Sequence, residues 1–385
     1  MIDIRDPRVQ EALIGRQVCD TLSRSERAAY EGQRVLITGA GGTVGSELAR
    51  AIAACAPSRL TLVDHSEYAL FQIERELTSR YPDLPLEPVL GDITRPRVVR
   101  TACSAASPDV VFHAAAYKHV TMLERDLCAG VHANVLGTKV VVEAARAVGA
   151  RFVLISSDKA VNPRSVMGAT KRLAEMVALA AMDVVFEPVV VRFGNVLGSS
   201  GSVLELMADC LAHQRPIPVT HPEATRYFMT VGEAATLVLR ADLLRLGGEV
   251  CWLDMGKPIR IVDIVNRLLK LARAAGMPRV PIAFIGLRAG EKLDEQLTLK
   301  GMDLARTDHA RVWIAHQKPV AVDLIQRTVR ALRADVAKGD GLAALTDLCA
   351  AVPEYEPSDF ARLAAGGATL QAPWTAKDAA RQLVA

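Results

Sequence analysis

Two short stretches carry side chains whose order could move protons. SSDKAVNP sets a hydroxyl (Ser157), a carboxylate (Asp158) and an amine (Lys159) side by side, just after the apolar run RFVLIS. An adjacent acid and amine suit a reaction that needs one proton donor and one proton acceptor. To accept a proton the amine must be partly neutral, which burial or a cationic neighbour brings about by lowering its pKa. Downstream, Met167-Gly-Ala-Thr-Lys171 puts a thioether and an ammonium on one face of a helix at i,i+4. A thioether exchanges no proton. Met167 therefore cannot serve as an acid or base, while Lys171 supplies a second amine. The candidate catalytic set is Ser157, Asp158, Lys159, Met167 and Lys171. Standing alone, an Asp-Lys neighbour pair is more often a solvated loop pair. What lies upstream reverses that balance.

Upstream, RVLIT runs into TGAGGTVGSELAR, with Gly39, Gly42 and Gly45 at G-x-x-G-x-x-G spacing. Glycine is needed where the chain turns sharply and where backbone must approach a pyrophosphate. A helix opening near Thr43, with Val44 and Gly45 in its first turn, aims free N–H groups at that anion. A lone glycine pattern is weak, but this one follows a strand, opens a helix and begins a βαβ unit. Asp64 closes the second apolar run, where a carboxylate accepts both ribose hydroxyls of NAD and repels the extra phosphate of NADP. Asp92 and Ile93 after the third run fit the same pocket, as do Ala114, Ala115 and Ala116 after the fourth. Asn134, in NVLGT, completes the candidate cofactor set.

The elements that must position these residues alternate. Apolar runs at Arg34–Thr38, Leu60–Val63, Leu86–Leu90, Asp109–Ala115, Arg151–Ser156 and Pro188–Phe193 are separated by helical patterns. That alternation predicts an α/β fold, a Rossmann-type doubly wound parallel sheet with ligands at its carboxyl edge. The expected organisation is an N-terminal arm over 1–32 and a dinucleotide-binding domain over 33–194. A smaller substrate lobe over 195–318 and a helical segment over 319–385 follow. Lys and Arg number 46 against 43 Asp and Glu, with no basic run carrying interleaved aromatics, so nucleic acid is not an expected partner. The seven cysteines, Cys19, Cys55, Cys103, Cys128, Cys210, Cys251 and Cys349, form no C-x-x-C pair, so no metal site and a reduced compartment are expected. Asp183, Glu187 and Pro188 interrupt the most apolar long stretch, which excludes a membrane span there. A soluble, cytoplasmic protein is the expectation.

From about Arg34 to Leu293 the chain resembles extended short-chain dehydrogenases, specifically the nucleotide-sugar 4,6-dehydratases of bacterial polysaccharide biosynthesis. HAAAYKHV, SSDKAVNP, GATKRLAE, VRFGNVLGSSGSV, THPEATRYFMT, LDMGKPIRI and GLRAGEKL carry the resemblance in order. It implies NAD and a UDP-sugar, usually UDP-N-acetylglucosamine. It makes Asp158 the acid that assists departure of the C6 hydroxyl and Lys159 the base at C5. Met167 stands where most short-chain dehydrogenases have tyrosine, and Lys171 stands where they carry the lysine that holds the nicotinamide ribose. Deprotonation at C4 then falls to Ser157 and Asp158. By the same resemblance Asn134 shapes the active-site helix and Asn195 meets the diphosphate. Long members carry an N-terminal membrane region, and ALIGR (Ala12–Arg16) resembles the piece that follows it.

On the nucleotide-sugar side, Lys118 and His119 follow the fourth strand. Arg226 and Arg288 suit a diphosphate, since a guanidinium grips two oxygens, and Glu291 suits ribose hydroxyls. The resemblance also implies a homo-oligomer pairing through helices over Val131–Val148 and Gly168–Ala181. Two competing readings stay open: a UDP-sugar 4-epimerase, which needs no acid and base for elimination, and a catalytically silent NAD-binding scaffold, for which Met167 is the best argument.

Overall fold

The computed structural model describes residues 3–4, 6–18, 20–298, 304–317 and 321–367. Cys19 and the tail over 368–385 lie outside the described residues. Helices α1 (Pro7–Ile14) and α2 (Arg24–Ala28) come first, capped by Asp6 and by a reciprocal Ser23–Glu26 box. Strand and helix then alternate: β1 (Arg34–Thr38), α3 (Thr43–Ala53), β2 (Arg59–Asp64), α4 (Glu67–Arg80), β3 (Leu86–Leu90), α5 (Pro96–Ala106) and β4 (Val110–His113). Beyond β4, α6 (Val120–Leu123) and α7 (Leu127–Gly130) lead through a π-helical turn, Val131–Leu136, into α8 (Gly137–Ala147). β5 (Arg151–Ile155), α9 (Val166–Leu179) and β6 (Val189–Arg192) complete the alternation.

These six strands correspond to the six apolar runs and lie parallel in the order β3-β2-β1-β4-β5-β6. Apolar on both faces, the inner strands can only be buried between helices. Pro88 sits on β3, the outer strand, where a missing N–H is tolerated. The strand order reverses between β1 and β4, and that reversal opens a ligand crevice at the carboxyl ends. The sheet is of the Rossmann type.

Under the crevice, His113 at the end of β4 is fully buried between Thr38 Oγ1 (2.6 Å from Nδ1) and Thr138 Oγ1 (3.0 Å from Nε2). Burial first, and the Lys171 charge second, lower its pKa to about 3. The unfolded chain protonates this ring below about 6.5 while the native state does not. The unfolded state therefore binds the extra proton, and stability falls as pH drops from about 6.5 toward about 3, by up to about 1.4 kcal/mol per pH unit. Chemical denaturation of the wild type and His113→Gln across this range should show a shallower acid loss in the variant.

After β6 come β7 (Asn195–Val196), α10 (Val203–Ala212), β8 (Ile217–Val219), β9 (Thr225–Arg226), β10 (Phe228–Met229), α11 (Val231–Leu243), β11 (Val250–Leu253), β12 (Ile259–Arg260), α12 (Ile261–Ala274), β13 (Ile282–Phe284), β14 (Leu304–Arg306) and β15 (Val312–Ala315). Two-stranded pairs β7–β10, β9–β12 and β8–β13 build a lobe with α10 and α12. The chain also returns to the main sheet. β11 pairs parallel with β6, and β15 and β14 follow antiparallel, making nine strands. The N-terminal segment is not a bare arm. Leu13 and Ile14 of α1 are buried with Ile264, Val265 and Leu268 of α12, and Arg16 pairs with Glu233 at 2.6 Å.

Helices α13 (Val322–Lys338), α14 (Gly341–Ala351) and α15 (Asp359–Ala365) end the described chain. Ile325, Val329, Leu345 and Leu348 pack with Val131, Val135, Leu173 and Val177. That apolar surface is the one expected from the resemblance to pair two copies, and here it is covered by the protein's own C-terminal helices. An amphipathic stripe advertises burial without naming its partner. Among the described residues no helix is long and apolar enough to cross a membrane.

Candidate active site

β1 ends in a turn fitted to glycine. Gly39 has φ +68°, and a β-carbon there would lie 2.5 Å from Ala115 N. One on Gly45 would lie 2.0 Å from Gly39 O. Thus the β1 exit, the start of α3 and the chain beyond β4, with Ala114 and Ala116 flanking Ala115, meet backbone to backbone. Gly42 caps α3 without a side-chain hydrogen bond, leaving first-turn N–H groups to a ligand anion. Asp64 accepts from Gly41 N and Ser66 N, both at 2.9 Å, and so braces the turn it borders. Asp92 accepts from Thr94 N at 2.8 Å, and Ile93 is buried beside it. Thr43 Oγ1 accepts from Ser200 N at 3.2 Å, joining the lobe to the cradle, while Val44 packs on the core. The shape and donors fit the pyrophosphate of a dinucleotide. Asn134 departs from its expected place among cofactor ligands. Its amide accepts from Tyr117 N (2.8 Å) and donates to Tyr117 O and Thr170 Oγ1 (3.0 Å each), fixing the loop after β4 against α9. The π-helical turn carries it there.

At the end of β5, Ser157 caps a single 3-10 turn, Asp158–Ala160. Asp158 Oδ1 accepts from Ser157 Oγ and from Lys159 Nζ, each at 3.0 Å. Asp158 Oδ2 is buried without a hydrogen-bond partner, so it is the oxygen left for an incoming donor. Burial pushes this carboxyl above the usual aspartate range; Lys159 pulls it back and Glu295 adds to the rise. Lys159 Nζ also donates to Asn195 Oδ1 at 3.1 Å and lies 3.5 Å from Glu295 Oε1. Burial disfavours the ammonium, but the two carboxylates outweigh burial and raise Lys159 above the ordinary lysine value. The expected neutral lysine is corrected here: the site supplies burial and, with it, two anions that hold the charge in the free protein.

Lys171, also buried, has its pKa lowered. Its Nζ donates to Ile155 O at 2.6 Å, and burial, opposed by Glu175, brings it to about 8. Met167 is buried in the apolar cluster that α9 shares with the C-terminal helices. It acts as packing rather than as a reactive group. Met167→Ala should lose about 2–5 kcal/mol of stability while turnover falls only modestly. Denaturant titration beside a turnover assay checks both halves.

Behind Ser156 lies a buried ionic network. Glu175 accepts from Ser156 Oγ (2.6 Å), Arg192 Nε (2.7 Å) and Arg172 Nη1 (3.1 Å). It ties β5, α9 and β6 together under the chemical residues. Glu175→Ala leaves the buried Arg192 guanidinium uncompensated, while Arg172 keeps Glu354 as a partner, and should cost about 3–5 kcal/mol; the midpoint of urea unfolding measures it.

Lys159 and Asn195 open onto a cavity of about 270 Å³. Lys118, His119, Arg226, Arg288 and Glu291 also line it, so the structure gathers all six residues read as sugar-nucleotide contacts around one space. Burial lowers the pKa of Lys118, and burial together with the Lys118 charge lowers that of His119. Arg226 corrects its expected role. Nη1 donates to Thr225 O and Leu293 O, Nη2 to Glu291 Oε1 and Lys292 O, and Nε lies 3.8 Å from Glu295. With its donors engaged, Arg226 pins the 291–295 segment instead of gripping a diphosphate. Sequence reasoning missed Glu295 and Lys292. Their signal was present in GEKLDE, where a second acid follows Lys292 at i,i+3.

Residues 35–317 match the family described as "Polysaccharide biosynthesis protein". The chain belongs to this family. It is 40% identical over 329 residues to the capsular polysaccharide biosynthesis protein CapD of Staphylococcus aureus, covering 83% of this chain and 53% of that protein. The chain thus spans about half the length of the curated relatives it matches first. It is 27% identical over 273 residues to a UDP-N-acetylglucosamine 4,6-dehydratase (inverting) of Campylobacter jejuni, covering 69% of this chain and 77% of that protein. Among solved structures, Pen from Bacillus thuringiensis is 30% identical, with a TM-score of 0.68, and the match covers 76% of this chain and 90% of that one.

Proposed function

We propose that this family member is a UDP-N-acetylglucosamine 4,6-dehydratase that makes a UDP-4-keto-6-deoxy-N-acetylhexosamine with NAD as resident cofactor. The observation that carries the reading is the Asp158–Lys159 pair at the floor of the sheet's carboxyl edge. Elimination across C5 and C6 needs an acid and a base, and epimerisation at C4 needs neither there. The name of the Campylobacter relative supports the substrate. When bound, a nicotinamide dinucleotide would take a hydride from C4 and return it at C6.

The chain's residues handle the protons. Asp158 takes the C4 hydroxyl proton, directly or relayed through Ser157 Oγ, and carries it to the departing C6 hydroxyl, which leaves as water. A carboxyl whose pKa burial has raised suits both steps. Lys159 takes the proton from C5, acidified by the new ketone, and returns one to C5 after reduction at C6. Protons taken and given then balance. Lys159 must enter the cycle as a free amine, so it must first give up the proton that Asp158 and Glu295 stabilise. Lys171 would hold the nicotinamide ribose, while Arg288 and Lys118 would supply positive charge to the diphosphate.

Incubation with UDP-N-acetylglucosamine should yield a product lighter by one water and absorbing in alkali as a 4-keto sugar. Appearance of the C4 epimer alone, or no turnover, would reject the dehydratase. The supernatant of denatured protein should contain NAD; NADP there would overturn the role of Asp64.

A further inference from the structure

Lys159 has three ammonium hydrogens and three acceptors around it: Asp158 Oδ1, Asn195 Oδ1 and Glu295 Oε1. Asp158 comes from the turn after β5 and Asn195 from β7, which follows β6 in the chain. Glu295 comes from elsewhere, the segment after β13 that also brings Arg288, Glu291 and Lys292 to the cavity. Its side chain is 2% exposed. Glu295 Oε1 lies 3.8 Å from Arg226 Nε, and Oε2 lies 3.4 Å from Lys292 Nζ. Lys292 in turn donates to Val161 O at 2.7 Å, which anchors this segment to the turn carrying Lys159. Removing one partner of a buried ion pair leaves the other charge uncompensated.

We propose that Glu295 is a positioning residue that works through Lys159: its carboxylate holds the Lys159 amine in place and sets how readily that amine gives up its proton. The inference rests on the reading of Lys159 as the C5 base. The groups facing Lys159 are Asp158 from its own turn, Glu295 and Lys292 from the 291–295 segment, and Arg226 from β9. Asp158 and Glu295 favour the ammonium, whereas Arg226 opposes it. Glu295 itself is kept ionised by Lys159, Lys292 and Arg226 against the effect of burial. Because it rides on the segment that lines the diphosphate side of the cleft, Glu295 couples Lys159 to whatever fills that side.

The test compares the full-length wild type with Glu295→Gln, which removes charge at constant shape, and Glu295→Asp, which keeps it. Competitive acetylation with acetic anhydride over neutral to alkaline pH, read by mass spectrometry of the Lys159 peptide, titrates this one amine without turnover. In Glu295→Gln the Lys159 midpoint should fall by about one to three units, and Glu295→Asp should recover most of that shift. The acid limb of the kcat profile should move to lower pH by a similar amount, with KM changing less than kcat. An unchanged Lys159 midpoint in folded Glu295→Gln overturns the proposal. So does a wild-type Lys159 that titrates at or below the exposed lysines, whether or not the variants fold. Failure of the wild type to dehydrate the sugar nucleotide rejects the functional reading instead and leaves the acetylation result to stand by itself.

Discussion

Lys159→Met is expected to abolish dehydration while leaving the fold and the bound dinucleotide intact. Removing a positioned general base typically costs a factor of about a hundred to ten thousand. Methionine is chosen because it matches the length of the lysine stem without carrying a proton. The loss should appear in kcat, since the proton at C5 moves only after the sugar is bound. Exchange of the C5 hydrogen with deuterated water should vanish with it. Asp158 and Glu295 face each other more closely in charge once the ammonium is gone, so the variant's carboxyl at Asp158 should hold its proton to higher pH. Near-normal turnover of Lys159→Met would show that the base lies elsewhere.

Gly45→Ala is expected to strip the protein of its dinucleotide. The added methyl would meet Gly39 O at 2.0 Å and Ala40 Cα at 3.0 Å, all backbone, with no flexible side chain to give way. Either the glycine turn or the first turn of α3 must shift, and both shape the proposed phosphate cradle. Denaturing equal amounts of wild type and variant and assaying the released nucleotide measures the effect directly. The wild type should release nucleotide and the variant essentially none, with activity lost in parallel. A variant that keeps its nucleotide would mean that the phosphates sit away from this turn.

Much of this was legible because a few residues are overdetermined. Gly39 and Gly45 can be nothing else where backbones cross, and six buried strands must each be an apolar run. Residue type, place after a strand and, for Asn195, the family resemblance pointed to Lys118, His119, Asn195, Arg226, Arg288 and Glu291, which line one cavity. Partner choice was not legible. Arg226 reads as a diphosphate grip, yet the carbonyls of residues 225, 292 and 293 use up its donors. Lys159 reads as a neutral base, yet Glu295, remote in sequence, restores its charge. Val250–Leu253 carries only four apolar residues in a region where alternation has faded, so its return to the sheet depends on pairing with β6. The C-terminal helices hide the face of α9 for the same reason: spacing gives a stripe, and only the folded chain says what lies on it.

The most direct test of internal hydride transfer uses UDP-N-acetylglucosamine carrying deuterium at C4. Mass spectrometry and proton NMR of the product locate the label. The expected result is deuterium at C6 of the 4-keto-6-deoxy sugar, together with one solvent-derived hydrogen at C5. Deuterium kept at C4 in an epimerised sugar, or washed out into water, would contradict it.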